Sequence, residues 1–158
     1  MQSYTLDHRP VPEQISELRD DNPQSIALSS GDRQLSFEDL DRDADRVAGY
    51  LMQLGVRPGG TVAICMERSF DEIVTALGIM RAGAAYVPLD PDWPDSRLRF
   101  AVEDSGATVL VAHAALLDRL RVEARGVDLR RDAEAIAAAS DAVRCPIQQE
   151  SVAYVIYT

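Results

Sequence analysis

The sequence predicts an α/β fold, a mostly parallel sheet with flanking helices and an N-terminal hairpin. Two patterns carry that expectation. Between residues 61 and 112 short apolar, β-branched runs alternate with helix-length segments, and successive strands joined by helices must cross over and pair in parallel. Ahead of them, two strand-like runs flank Ser30-Gly31-Asp32, a turn sequence. The length of 158 residues is enough for one domain with a core of its own. With 46% hydrophobic, 27% charged and 6% aromatic residues, collagen-like, low-complexity and largely disordered classes are excluded.

Taken in order, residues 1–22 read as a polar arm holding one short helix, Val11 to Arg19, with Ile15 and Leu18 inward. Ser25 to Ser29 and Arg33 to Phe37 form the hairpin, with Ile26 and Leu28 on one face. The period then changes to three and four. Leu40, Ala44, Val47, Ala48, Leu51 and Leu54 share a helical face, which leaves Asp41, Arg42, Asp45 and Arg46 toward water. Ser36 is placed to cap that helix with Asp39 three residues on, and Gly55 to end it.

Strands follow at Thr61 to Met66, Ala84 to Val87 and Thr108 to Ala112, with helices at Phe70 to Ala82 and Pro94 to Ser105 between them. Gly83 and Gly106 stand at the helix ends, and Pro94 at a first helical turn, where its missing N–H costs nothing. Val62, Ile64, Tyr86, Val87, Val109 and Val111 are expected on neighbouring strands, with Leu40, Val47, Leu51, Ile73, Leu77, Leu98 and Val102 facing the core from helices. Ala114 to Arg121 and Arg131 to Ala139 read as helices around Gly126, and Ser151 to Thr158 as a last alternating strand. A strand running straight into the chain end reads as a cut.

Charge and composition narrow the function. Twenty-six acidic residues against 16 basic ones give a formal −10, which opposes nucleic-acid backbones and anionic membrane surfaces. No apolar run is long enough to span a bilayer, and residues 1–10 lack a basic-then-apolar leader, so the expected location is cytoplasmic. All 16 basic residues are arginines. Without lysine there is no P-loop lysine, no Schiff base and no Ser-Lys dyad. The nine glycines nowhere form G-x-G-x-x-G. Cys65 and Cys145 lack metal or redox spacing and read as reduced thiols.

Three local clusters invite chemistry and yield little. Asp90, Asp92 and Asp95, between a strand and a helix, could offer oxygens to a hard cation, but aspartates before a helix also favour its positive end. No metal site is assigned. His8 and His113 have no partner at motif spacing and read as solvated. Arg119, Arg121, Arg125, Arg130 and Arg131 interleave with Asp118, Glu123 and Asp128, the pattern of a solvated face.

Leu35-Ser36-Phe37-Glu38-Asp39-Leu40, then Arg81 to Pro91 (RAGAAYVPLDP), then Pro94, Arg97-Leu98 and Glu103-Asp104-Ser105-Gly106-Ala107 closely resemble the first part of an amino-acid adenylation domain of a nonribosomal peptide synthetase. The resemblance covers nearly the whole chain. It implies that the fold is the N-terminal portion of the large adenylate-forming core, with an arm over residues 1–22 and the first part of the core subdomain over 23–158, truncated before the phosphate loop. Ala153-Tyr154-Val155-Ile156-Tyr157-Thr158 looks like the strand that leads into that loop.

Enzymes of this kind activate an amino acid with ATP and Mg²⁺ to aminoacyl-AMP and pyrophosphate, then pass the acyl group to a carrier-protein phosphopantetheine thiol. The resemblance therefore implies ATP and Mg²⁺ as cofactors of the complete enzyme. The remainder of the adenylation domain and a carrier protein would be its partners. Only Thr158, at the edge of the phosphate loop, carries over as a cofactor-binding position, and no catalytic residue does. The chain alone is expected to hold no cofactor and to be inactive, and through its terminal strand to self-associate, to aggregate or to pair with a complementary fragment that begins with the Gly-rich loop. Two other readings stay open: a non-catalytic half-domain helping another synthetase polypeptide, and a free-standing nucleotide-binding α/β protein without a glycine fingerprint.

Overall fold

The computed structural model describes residues 9–139, 144–148 and 150–158. The helix α1 (Val11–Asp21) leads to a hairpin of β1 (Ile26–Ser30) and β2 (Arg33–Ser36), and α2 (Phe37–Gln53) follows. The alternating part comprises β3 (Thr61–Cys65), α3 (Phe70–Arg81), β4 (Ala85–Leu89), α4 (Asp95–Asp104), β5 (Val109–Ala112), α5 (Ala114–Leu120), β6 (Arg125–Val127) and α6 (Ala133–Ala138). The sheet runs β4-β3-β5-β6, with all its pairs parallel.

That order explains the layers. The chain steps from β3 to β4 in one direction, then back past β3 to β5 and on to β6. Right-handed crossovers on a reversed path must lie on the opposite face. Accordingly α3 and α2 bury Val74, Leu77, Ile79, Leu40, Val47 and Leu51 against Val62, Ile64, Val109 and Val111. On the other face α4 and α5 bury Leu98, Val102, Leu116 and Leu120 against Ala63, Cys65, Val87 and Leu110. The strict alternation of β3 and β5 residues between two cores is the period-two signature of a sheet covered on both sides.

Local signals behave as their chemistry requires. Ser36 Oγ accepts from the Asp39 N–H at 3.1 Å, and Ser69 caps α3 through the Glu72 N–H at 3.2 Å. Gly55, Gly83 and Gly106 follow α2, α3 and α4 with positive φ, the conformation that ends a helix most cheaply in glycine.

Several expectations are corrected. Asp41 is buried, not solvated, and Asp45 is largely covered, because α3 brings Arg81 against both. Ile73 and Leu18 are 40% and 43% exposed, since α3 and α1 turn other faces to the core. Ile26 is also exposed, where a register irregularity between Ile26 and Leu28 interrupts the hairpin. Pro94 caps α4 instead of lying in its first turn. The helix expected from Arg131 to Ala139 contracts to α6. The short strand β6 had no sequence counterpart, because three residues around Gly126 carry too little periodicity to read. Residues 151–158 form not a full strand but one parallel bridge, Tyr86 to Tyr154. His8 lies outside the described residues.

Candidate functional site at the carboxyl edge of the sheet

In an open parallel sheet, ligands bind beyond the carboxyl ends of the strands. Here the loops after β3 and β4 meet the terminal segment around a cleft of about 410 Å³, lined by Met66, Glu67, Arg68, Glu72, Asp90, Trp93 and Tyr157 among others. Asp90 accepts the Asp92 N–H at 2.9 Å, and the Trp93 N–H returns to the Asp90 carbonyl at 3.0 Å, which closes the Pro-rich turn. Arg97 stacks on the Trp93 ring with its guanidinium carbon 3.8 Å from the centroid. Asp95 faces the other way and pairs with Arg119 at 2.9 Å. The three aspartates are therefore not convergent, and among the described residues no group of three or more His, Cys, Asp or Glu could hold a metal ion.

The terminal segment is the wall that sequence periodicity located only in part. The Tyr86 N–H donates to the Ala153 carbonyl at 3.1 Å, and the Val155 N–H to the Tyr86 carbonyl at 3.0 Å, so residues 153–155 lie along the outer edge of β4. Tyr157 turns inward: its hydroxyl donates to Asp104 at 2.7 Å and its ring meets Phe100 edge-on. Thr158 follows it, exposed.

The cleft suits a triphosphate poorly. Glu67, Glu72, Asp90 and Asp92 outnumber the single cation Arg68, and the chain has no lysine to add. Like charge at this range costs binding energy instead of supplying it. The residues lining this cleft therefore do not by themselves complete a site for the triphosphate of ATP. Elsewhere, His113 and Arg119, Arg121, Arg125, Arg130 and Arg131 are exposed, in keeping with solvated roles. Cys65 is buried and free, and burial followed by the nearby Asp90 charge pushes its thiol up to about 12, which leaves it inert as a nucleophile.

The model of the AMP-binding enzyme family matches residues 16–158. The chain belongs to that family. Among AMP-binding enzymes, one of the linear gramicidin synthase polypeptides of Brevibacillus parabrevis is 43% identical over 138 residues, covering 86% of this chain and 3% of that protein. Tyrocidine synthase 2 of the same organism is 35% identical over 144 residues, or 91% of this chain and 4% of that one. A crystal structure of the nonribosomal peptide synthetase FmoA3 superposes with a TM-score of 0.82 at 30% identity, covering 93% of this chain and 16% of that chain. A long-chain-fatty-acid-CoA ligase from Archaeoglobus fulgidus, 22% identical with a TM-score of 0.84, shares the fold. The chain thus corresponds to an N-terminal part of an adenylation domain and spans only a few per cent of the curated relatives it matches.

One site-bearing feature escaped sequence reasoning. Arg81, 1% exposed, is a hub between helices: it donates to the Asp41 carboxylate, to the Asp41 carbonyl at 2.6 Å, to Asp45 at 2.9 Å and to Ser16 at 3.2 Å. Arg144 reaches the same carboxylates, at 2.7 Å from Asp41 and 2.6 Å from Asp45. Burial alone would raise the Asp41 carboxyl, but Arg81, Ser16 and Arg144 together outweigh it and hold the group below the ordinary carboxylate range. The available signal was Asp41 and Asp45 at helical spacing beside the Leu40 and Ala44 stripe, which places them at the border of the buried face.

Proposed function

We propose that the chain is the first segment of an amino-acid-activating adenylation domain, with residues 1–22 as its arm and 23–158 as the beginning of its core, and that it supplies scaffold and not chemistry. The complete enzyme would join the carboxylate oxygen of an amino acid to the α-phosphorus of ATP, break the bond to pyrophosphate, and transfer the acyl group from AMP to a carrier thiol. The 43% identity to a gramicidin synthase polypeptide over 86% of the chain carries this reading.

Thr158, at the end of the segment that walls the cleft, is the one position assigned to nucleotide binding, and the phosphate-binding loop, magnesium ligands and lysine would come from the rest of the domain. That remainder and a phosphopantetheine-bearing carrier protein are the partners. The net charge of −10 disfavours nucleic acid and anionic membranes, and two free cysteines fit the reducing cytoplasm, where we place the protein.

Exchange of labelled pyrophosphate into ATP, dependent on amino acid, tests the reading. The purified chain alone is expected to give none, and co-expression with a fragment that begins at a Gly-rich phosphate loop is expected to restore it. Exchange by the isolated chain would overturn the scaffold role.

A further inference from the structure

One buried carboxylate joins three helices. Asp41 of α2 is 2% exposed, and its Oδ1 accepts from the Ser16 hydroxyl of α1 at 2.9 Å and from the Arg81 guanidinium of α3. Its Oδ2 faces Arg19 of α1 at 3.4 Å and Arg144 at 2.7 Å. Asp45, one turn on, shares Arg81 and Arg144 with it, and Glu13, Glu17 and Asp20 of α1 line the cleft of about 400 Å³ alongside. Apolar burial holds α1 far less: Pro12 is its one buried residue, and Ile15 meets the first core only partly buried. Past α1 the chain is fixed again, since the Pro23 and Ser25 carbonyls accept from the Glu38 and Phe37 N–H groups at 3.0 Å.

We infer that the Asp41 carboxylate is an ionic latch for α1: its charge docks α1 on α2 and α3, and removing that charge frees α1 about Asn22 while both cores stay folded. Charge-assisted hydrogen bonds to a buried, preorganised acceptor are the strong kind, and here they take the place of apolar contact. The cores survive release because Arg81 keeps Asp45 at 2.9 Å and the Asp41 carbonyl at 2.6 Å, so no buried cation is stranded. The helix itself does not: 11 residues are marginal as an isolated helix in water, so α1 unravels when undocked. Burial opposes the Asp41 charge, but Arg81, Ser16 and Arg144 outweigh it and hold the carboxyl below its ordinary range. Docking is therefore full above the unfolded value of about 3.9 and is lost as pH falls through the folded value.

Hydrogen-exchange protection of individual amides tests the latch. The Asn22 amide, which donates to the Leu18 carbonyl at 2.9 Å, reports the end of α1; Ile64 and Val111 report the core. Ser16→Ala leaves the Asp41–Arg81 pair intact and is expected to lower protection in α1 about fivefold, the effect of one net hydrogen bond. Asp41→Asn is expected to lower it about tenfold or more, since the lost bonds are charge-assisted. In both variants α1 is expected to lose more protection than the core. In the parent, α1 protection is expected to fall below about pH 4 ahead of the core, and in Asp41→Asn that step is expected to vanish. Equal losses in α1 and core, unchanged α1 protection in either variant, or an acid step that persists in Asp41→Asn would overturn the inference.

Discussion

Gly78 lies inside α3, where propensity alone favours alanine by about 1 kcal/mol. Packing reverses the sign. A Cβ there would stand 2.7 Å from Val47 Cγ1 and 3.0 Å from the Ala44 carbonyl, so the glycine is what lets α2 approach α3. Overpacking costs about 1–3 kcal/mol, and Gly78→Ala is expected to lower the urea midpoint; a raised midpoint would mean that the helices can separate freely. Asp128 makes the other residue-scale case. Its carboxylate accepts from the N–H groups of Ala114, Arg130 and Arg131 at 2.5, 2.8 and 3.1 Å. Burial would raise its pKa, but these backbone donors outweigh burial and leave it lowered. A depressed carboxyl contributes stability that is full above its unfolded value of about 3.9 and is lost as pH falls through the folded value. Asp128→Asn is therefore expected to cost about 1.5–3 kcal/mol at neutral pH and to flatten the decline of stability below about pH 4, read by denaturation across that range.

At the scale of elements, α2 illustrates how local and tertiary signals agree. Its Ser36 cap is worth about 1 kcal/mol, yet its apolar face decides whether it stays on the sheet. Leu40, Ala44, Ala48 and Leu51 are each 1% exposed or less. Burying a Leu contributes about 1.5–3 kcal/mol, and a carboxylate in its place has no partner in that core. Leu51→Asp is therefore expected to unfold the domain, since the unpaired-charge penalty approaches a total stability of about 5–15 kcal/mol. Circular dichroism checks it: helical signal and a cooperative melt equal to the parent's would displace α2 from the core. The parallel pairing of β3, β4 and β5 was legible for a related reason, that parallel strands need the helix-length crossovers the sequence shows, whereas their order in the sheet was not. The strand β6 and the shortening of α6 were not, because three to six residues carry no periodicity and are shaped by what they pack on.

For the molecule as a whole, the outer edge of residues 152–156 is the exposed apolar feature next to the cleft, joined by Phe100 at 58% exposure. An uncovered strand edge with apolar side chains recruits another chain. The isolated chain is expected to self-associate, with a light-scattering mass that rises with concentration. A constant monomer mass would show that the docked segment already protects this edge.

Periodicity, capping residues and the alternation of strand and helix were enough for the fold class, the succession of elements from α1 to α5 and most of the core, because each is a short-range consequence of side-chain size and polarity. The lack of lysine and of a glycine-rich fingerprint is the ground on which we propose that the phosphate-cradling loop comes from outside these residues. Residues far apart in sequence were a different matter. That Asp41 and Asp45 would be drawn inward by Arg81, or that Tyr157 would close on Asp104, depends on where three helices and a returning segment meet. Charges read as solvated along one helix become buried when a second helix supplies their counter-ion, and that pairing is set by packing in three dimensions.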